Sequence, residues 1–159
     1  MGGEGQYPKR NSTSGGIDLA GHMKVEAYFR QSLWSDEPMV CIGSSKLHKD
    51  TVKRKSLWAH HRVEPAWNWK DGQTVNVTAF SNCNQVELFL NGKSLGRKKM
   101  EGAVCNQLSW EVPFKAGTLR AVGINNGKTA AEFKLQTAGK PKQLMASGDK
   151  STLKADRKD

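Results

Sequence analysis

This sequence predicts a mainly β fold, an immunoglobulin-like antiparallel β-sandwich preceded by a short strand and one helix. Three observations carry that prediction. Residues 73–138 alternate apolar and polar positions in short runs, Asn-Gly pairs at 91–92 and 126–127 punctuate them, and residues 24–34 follow a helical spacing instead.

The elements follow in order. Residues 1–15 (MGGEGQYPKRNSTSG) are rich in Gly, Ser and Asn without periodicity and read as a flexible N-terminal segment. Their start has no charged-then-apolar pattern, so no signal peptide is expected. Gly16–Gly21 reads as a short extended piece closed by a turn. In KVEAYFRQSLW, Lys24 to Trp34, the apolar residues Ala27, Phe29, Leu33 and Trp34 recur about a turn apart, against Glu26, Arg30 and Gln31. The spacing predicts an amphipathic helix that ends before Ser35-Asp36-Glu37-Pro38. Residues 16–37 thus form one strand–helix unit too small to bury its own apolar face.

Residues 38–72 read as a linker. They open on the apolar run PMVCIG, suited to a strand, and continue through the basic stretch 46–55. Trp58, Trp67 and Trp69 then stand within twelve residues. Trp clusters at a surface offer flat faces to sugar rings, so these three are the candidate substrate-binding residues; packing of a domain junction is the structural alternative.

The strands of 73–138 come next. Val75, Val77 and Ala79 alternate in the first; Val86, Leu88 and Leu90 alternate with Glu87 and Phe89 in the second, which runs into Asn91-Gly92. KSLG returns from that turn. Leu108 and Trp110 alternate up to Pro113, then Leu119, Ala121 and Gly123, and after Asn126-Gly127 come Ala131, Phe133 and Leu135. Six or seven strands with turn signals between them make the sandwich, and the alternating residues should face inward. Residues 139–159 read as a hinge-like linker and the start of a further domain.

Charge narrows the partners. Lys and Arg number 25 and Asp and Glu 15, for a net +10. The whole excess lies in segments 46–55, 93–101 and 140–159, none of which holds a Phe, Tyr or Trp. Single-stranded nucleic acid needs aromatic rings to stack its bases, so nucleic acid is not an expected partner. No apolar run is long enough to span a membrane. Cys41, Cys83 and Cys105 form no C-x-x-C, and His60 and His61 are adjacent, so neither metal nor cofactor is expected. Cys83 and Cys105 flank strands and are candidates to pair. Catalytic residues are not expected either. Glu64, Glu87, Glu111 and Glu132 show no paired spacing, and no G-x-S-x-G, P-loop or G-x-G-x-x-G occurs.

Against this background one resemblance stands out. GGIDLAGHMKVEAYFRQSLW resembles the closing strand and last helix of the (β/α)8 catalytic barrel in glycoside hydrolase family 2 β-galactosidases. VEPAWNWKDGQTVNVTAFSNCNQVELFLNGKSLG is similar to the start of the sandwich domain that follows the barrel, and LRAVGINNGKTAAEFKLQTAG to its last strands. STLKADRKD resembles the opening of the next sandwich. The likeness covers roughly residues 12–159, and its most specific block is V-E-L-F-L-N-G-K-S-L-G. It departs from the family pattern at His22, where Phe is usual, and at Ala66, where His is common.

The resemblance implies the C-terminal part of a retaining glycosidase, with 16–37 as a barrel remnant and 73–138 as an accessory sandwich. It places both catalytic glutamates before the segment matching Gly16–Trp34, so these 159 residues alone are expected to be inactive. Carbohydrate would then be a partner only through the parent enzyme. The alternative is a non-catalytic carbohydrate-binding or adhesion module using Trp58, Trp67 and Trp69.

Overall fold

The computed structural model describes residues 15–18, 21–47, 63–143, 145 and 147. The expected flexible segment 1–15, the basic stretch 46–55, Trp58 and the start of a further domain lie wholly or largely outside the described residues.

One helix, α1 (Val25–Trp34), precedes seven strands: β1 (Val40–Lys46), β2 (Thr74–Ser81), β3 (Gln85–Leu90), β4 (Lys93–Lys99), β5 (Gln107–Pro113), β6 (Thr118–Asn125) and β7 (Lys128–Gln136). The piece before the helix is less than the expected strand. Ile17 and Met23 make a single antiparallel bridge, and Asp18 accepts the Gly21 amide to close the turn.

All strand pairs are antiparallel, in a three-stranded sheet β1-β2-β5 and a four-stranded sheet β4-β3-β6-β7. The fourth strand hairpins back onto the third and so joins the larger sheet. Both Asn-Gly pairs turn hairpins, as read from the sequence. Asn91 and Asn126 each have φ near 51°, and Gly92 and Gly127 follow at 81° and 77°. That is the left-handed pair a type I′ turn demands, matched to the twist of the strands it joins.

Period two then sorts the side chains. Val75, Val77, Val86, Leu88, Leu108, Trp110, Leu119, Ala121 and Leu135 are buried between the sheets, with Leu90 and Phe133 partly buried against them. The same core takes Val40 and Ile42 from β1, Val112 from β5, and Trp67 and Phe114 from outside any strand.

The helix uses a different face from the one its sequence suggests. Val25 and Ser32 are buried, while Leu33 is 43% and Trp34 79% exposed. Val25, Tyr28, Phe29 and Ser32 follow an i, i+3, i+4, i+7 spacing, which is one stripe of a helix. Phe29 packs on Phe80 of β2 at 5.4 Å between ring centroids, and Tyr28 meets Phe133 of β7 edge-on at 5.9 Å. The helix therefore lies on the sandwich, and Phe80 on the outer face of its sheet is buried beneath it.

No two cysteines are bonded: Cys41 and Cys83 are buried free thiols and Cys105 is exposed. No helix among the described residues is long and apolar enough to cross a membrane.

Candidate functional site

The tryptophan segment, 63–70, runs along the free edge of β1. Ser44 and Glu64 exchange backbone hydrogen bonds of 2.8 and 2.9 Å, which bring the segment against the strand. Gly43 permits the approach, because a Cβ there would sit 2.9 Å from Glu64 O and collide with Val63. The buried Ser44 hydroxyl then ties the segment down. It donates to Ala66 O at 2.6 Å and accepts from Trp69 Nε1 at 2.8 Å.

Trp67 is fully buried, its ring 5.2 Å from that of Phe114 and its Nε1 donating to Lys115 O at 3.1 Å. Trp69 is partly buried and packs against the same core. Asn68 between them turns outward and accepts the Ala138 amide at 2.8 Å. A spacing of two in an extended segment places Trp67 and Trp69 on one side, as expected. That side is the core: Trp67 has no ring face open to a sugar, and its indole closes the end of the sandwich. Trp58 lies outside the described residues.

A second constellation fixes the helix. Asn82, in the β2–β3 turn, donates from Nδ2 to Ser35 O and Glu37 O at 2.8 Å each, and its Oδ1 accepts the Met39 amide at 2.8 Å. Asn106 before β5 donates to Ser32 O at 2.6 Å. The Asn106 bond takes up a carbonyl of the last turn of α1 that lacks a helical partner, and the Asn82 bonds hold the segment just after the helix. The opposite side of the helix carries Ala27 and Trp34, spaced at i and i+7, and Met23 lies just before the helix. Gly16 of the preceding turn lies against Ala27, and a Cβ there would be 3.1 Å from the Ala27 methyl. Trp34, Ile17 (61% exposed) and Met23 (41%) remain open. Sequence reasoning missed Ser44, Asn82 and Asn106. Their only local signal was polarity within or beside an apolar run, which does not reveal a partner far along the chain.

The outer face of the four-stranded sheet holds the positioned charges. Arg97 contacts Glu87 Oε2 through Nη2 at 2.7 Å and Nε at 3.1 Å, and Ser94 donates to Oε1. Lys134 and Arg120 pair with Glu132 at 2.8 and 3.3 Å, and the Arg120 guanidinium also lies 4.7 Å from the Phe89 ring centre. The Arg97 hydrogen bond, reinforced by Ser94, holds Glu87 below the ordinary carboxylate range, and Lys134 does the same for Glu132. A glycosidase acid needs the reverse, a carboxyl kept protonated near neutrality. These two carboxylates serve as ion-pair partners. Among the described residues no cluster of three His, Cys, Asp or Glu is placed to hold a metal.

Comparison with known proteins agrees with this architecture. Residues 72–131, the heart of the sandwich, match the family described as Domain of unknown function (DUF4982). The chain is 35% identical over 156 residues to the β-galactosidase BoGH2A of Bacteroides ovatus, covering 96% of this chain and 16% of that protein. Among solved structures it is similar to a glycosyl hydrolase family 2 member from Bacteroides cellulosilyticus. That match has 34% identity and a TM-score of 0.73, and covers 91% of this chain and 19% of the other. A β-glycosidase from Bacteroides vulgatus matches at 33% identity and a TM-score of 0.66, over 95% of this chain and 17% of its own. The chain thus spans less than a fifth of the length of these relatives. In sequence, in fold and in the small share of each relative that it spans, the chain belongs to the β-galactosidase-like C-terminal region of glycoside hydrolase family 2.

Proposed function

We propose that this chain is the helix-plus-sandwich buttress of a β-galactosidase-like glycosidase, structural in itself and without hydrolytic activity alone. On this reading residues 16–37 are the end of a catalytic (β/α)8 barrel and 139–159 lead to a further domain. The sandwich is wider than the 73–138 read from the sequence, because β1 (Val40–Lys46) and Trp67, within the expected linker 38–72, belong to its sheet and core. The observation that carries the reading is the two-sided helix. One stripe of α1 is fastened to the sandwich by Phe29, Tyr28, Asn82 and Asn106. The other carries the exposed Trp34, and Met23 just before the helix is exposed as well. A helix apolar on opposite sides belongs between two layers, and the sandwich supplies one of them. Carbohydrate then reaches the parent enzyme's barrel, and the sandwich fixes the barrel's last helix. The alternative of a free-standing carbohydrate-binding module loses support from the burial of Trp67.

The test supplies a β-galactosidase-like catalytic domain lacking this stretch in trans. Association should bury Trp34, shift its emission to the blue, and be lost in Trp34→Asp while the sandwich stays folded. The chain alone should release no nitrophenol from aryl β-galactosides. Turnover by the chain that disappears on mutating one of its Asp or Glu residues, or failure to associate, contradicts the proposal.

A further inference from the structure

The two Asn-Gly hairpin turns are alike in backbone and unlike in what holds the asparagine side chain. At the β3–β4 turn, Asn91 Nδ2 donates to Ala116 O at 2.9 Å and its Oδ1 accepts the Thr118 amide at 2.8 Å. Its backbone N–H also donates to Thr118 O at 2.9 Å. The side chain is thereby bound on both amide atoms to the turn between β5 and β6. At the β6–β7 turn, Asn126 is exposed and its amide makes no hydrogen bond to any described residue. Its neighbour Asn125 is the one engaged, accepting the Asn84 amide at 2.7 Å.

We propose that Asn126 is a site of spontaneous covalent modification, by succinimide formation and hydrolysis, and that Asn91 is protected from the same chemistry by its two side-chain hydrogen bonds. In the first step the backbone nitrogen of Gly127 attacks Cγ of Asn126. The N–Cγ bond forms, the Cγ–Nδ2 bond breaks, and the side-chain nitrogen leaves as ammonia with the proton that Gly127 N gives up. Water then opens the five-membered imide. Cleavage of its bond to Cγ yields aspartate; cleavage of its bond to the backbone carbonyl carbon yields isoaspartate, with the chain rerouted through Cγ. Glycine at the following position favours attack because no side chain shields its nitrogen, and an added Cβ at Gly127 would meet open space. Gly92 is equally open, so the flanking residue does not distinguish the two turns.

The difference lies in the asparagine. Cγ of Asn91 reaches the attack geometry only after its hydrogen bonds to Ala116 and Thr118 break, which slows it by roughly tenfold or more relative to Asn126. Each conversion at Asn126 puts a negative charge on the turn. The isoaspartate form also adds a methylene to the backbone of a two-residue turn whose geometry fixes the β6–β7 register.

The experiment ages the full folded chain in mildly alkaline buffer and maps its peptides by mass, with chromatography separating aspartate from isoaspartate. The peptide bearing Asn126 should gain the amide-to-acid mass roughly tenfold or more faster than that bearing Asn91, and Asn126→Gly should remove that signal. In concentrated urea both peptides should convert at similar rates, because the folded contacts are gone. Conversion of Asn91 as fast as Asn126 in the folded chain, or the same disparity persisting in urea, overturns the proposal.

Discussion

Replacing Ser44 by alanine removes a hydroxyl that both donates to Ala66 O and accepts from Trp69 Nε1, in a position with no solvent exposure. Both partners are then left without their hydrogen bond, so Ser44→Ala should cost about 1–3 kcal/mol in urea unfolding. Leu88→Ala, at the centre of the core, should cost about 2–5 kcal/mol by the same measurement, from lost burial and the cavity left behind. The three cysteines separate by burial. Desolvation pushes the Cys41 thiol up to about 12, so it stays protonated through the physiological range. An aromatic disulfide reagent should label Cys105 at once, and should reach Cys41 and Cys83 only as the chain unfolds; prompt labelling of all three would contradict the buried positions.

At the scale of elements, the strands were legible and the helix only half so. Period-two alternation marks one inner face unambiguously, and Asn-Gly fixes where two of the hairpins turn, so the alternating residues read as inward, Gly123 apart, lie in or against the core. The helix offers two apolar stripes, and its sequence does not say which one meets the sandwich. Ala27, Phe29, Leu33 and Trp34 suggest one face, whereas the structure buries Val25 and Ser32 and turns Leu33 and Trp34 outward. Ser32 escaped notice because its hydroxyl is satisfied locally, donating to Phe29 O at 2.7 Å. Trp67 was readable as an aromatic in an extended segment. Its burial depends on Gly43, Ser44 and Lys115, which are remote in sequence. Asn82→Ala tests the attachment of the helix. It removes three hydrogen bonds between the β2–β3 turn and the segment after α1, so amide exchange in residues 25–39 should rise while that of β2 and β6 stays slow. Uniform acceleration across the strands would mean that helix and sandwich unfold as one unit.

Across the whole molecule, charge and aromatic placement decide what the surface can do. Glu87 and Glu132 are held below the ordinary carboxylate range in the folded chain. A depressed carboxylate contributes stability that is present above its unfolded pKa and is lost as pH falls through its folded pKa. Stability should therefore decline in acid, below the usual carboxylate range, and Glu87→Gln should flatten that decline; both sites face solvent, so the effect is modest and shrinks with salt.

The tryptophans give the last expectation. Trp67 lies in the core, Trp110 is 6% exposed beneath the Lys98 ammonium, and Trp34 is 79% exposed on the unpartnered side of the helix. A sugar platform needs an open ring face, and neither Trp67 nor Trp110 presents one. Galactose and short β-galactosides titrated against the chain should therefore produce no saturable fluorescence change that Trp67→Phe removes. Iodide, which quenches only indoles it can touch, should reduce the emission of a Trp58→Phe variant and lose most of that effect when Trp34→Phe is added. A saturable galactoside response that vanishes with Trp67→Phe or Trp69→Phe, in variants that keep the fold, would make the tryptophan segment a binding surface and the sandwich more than a buttress.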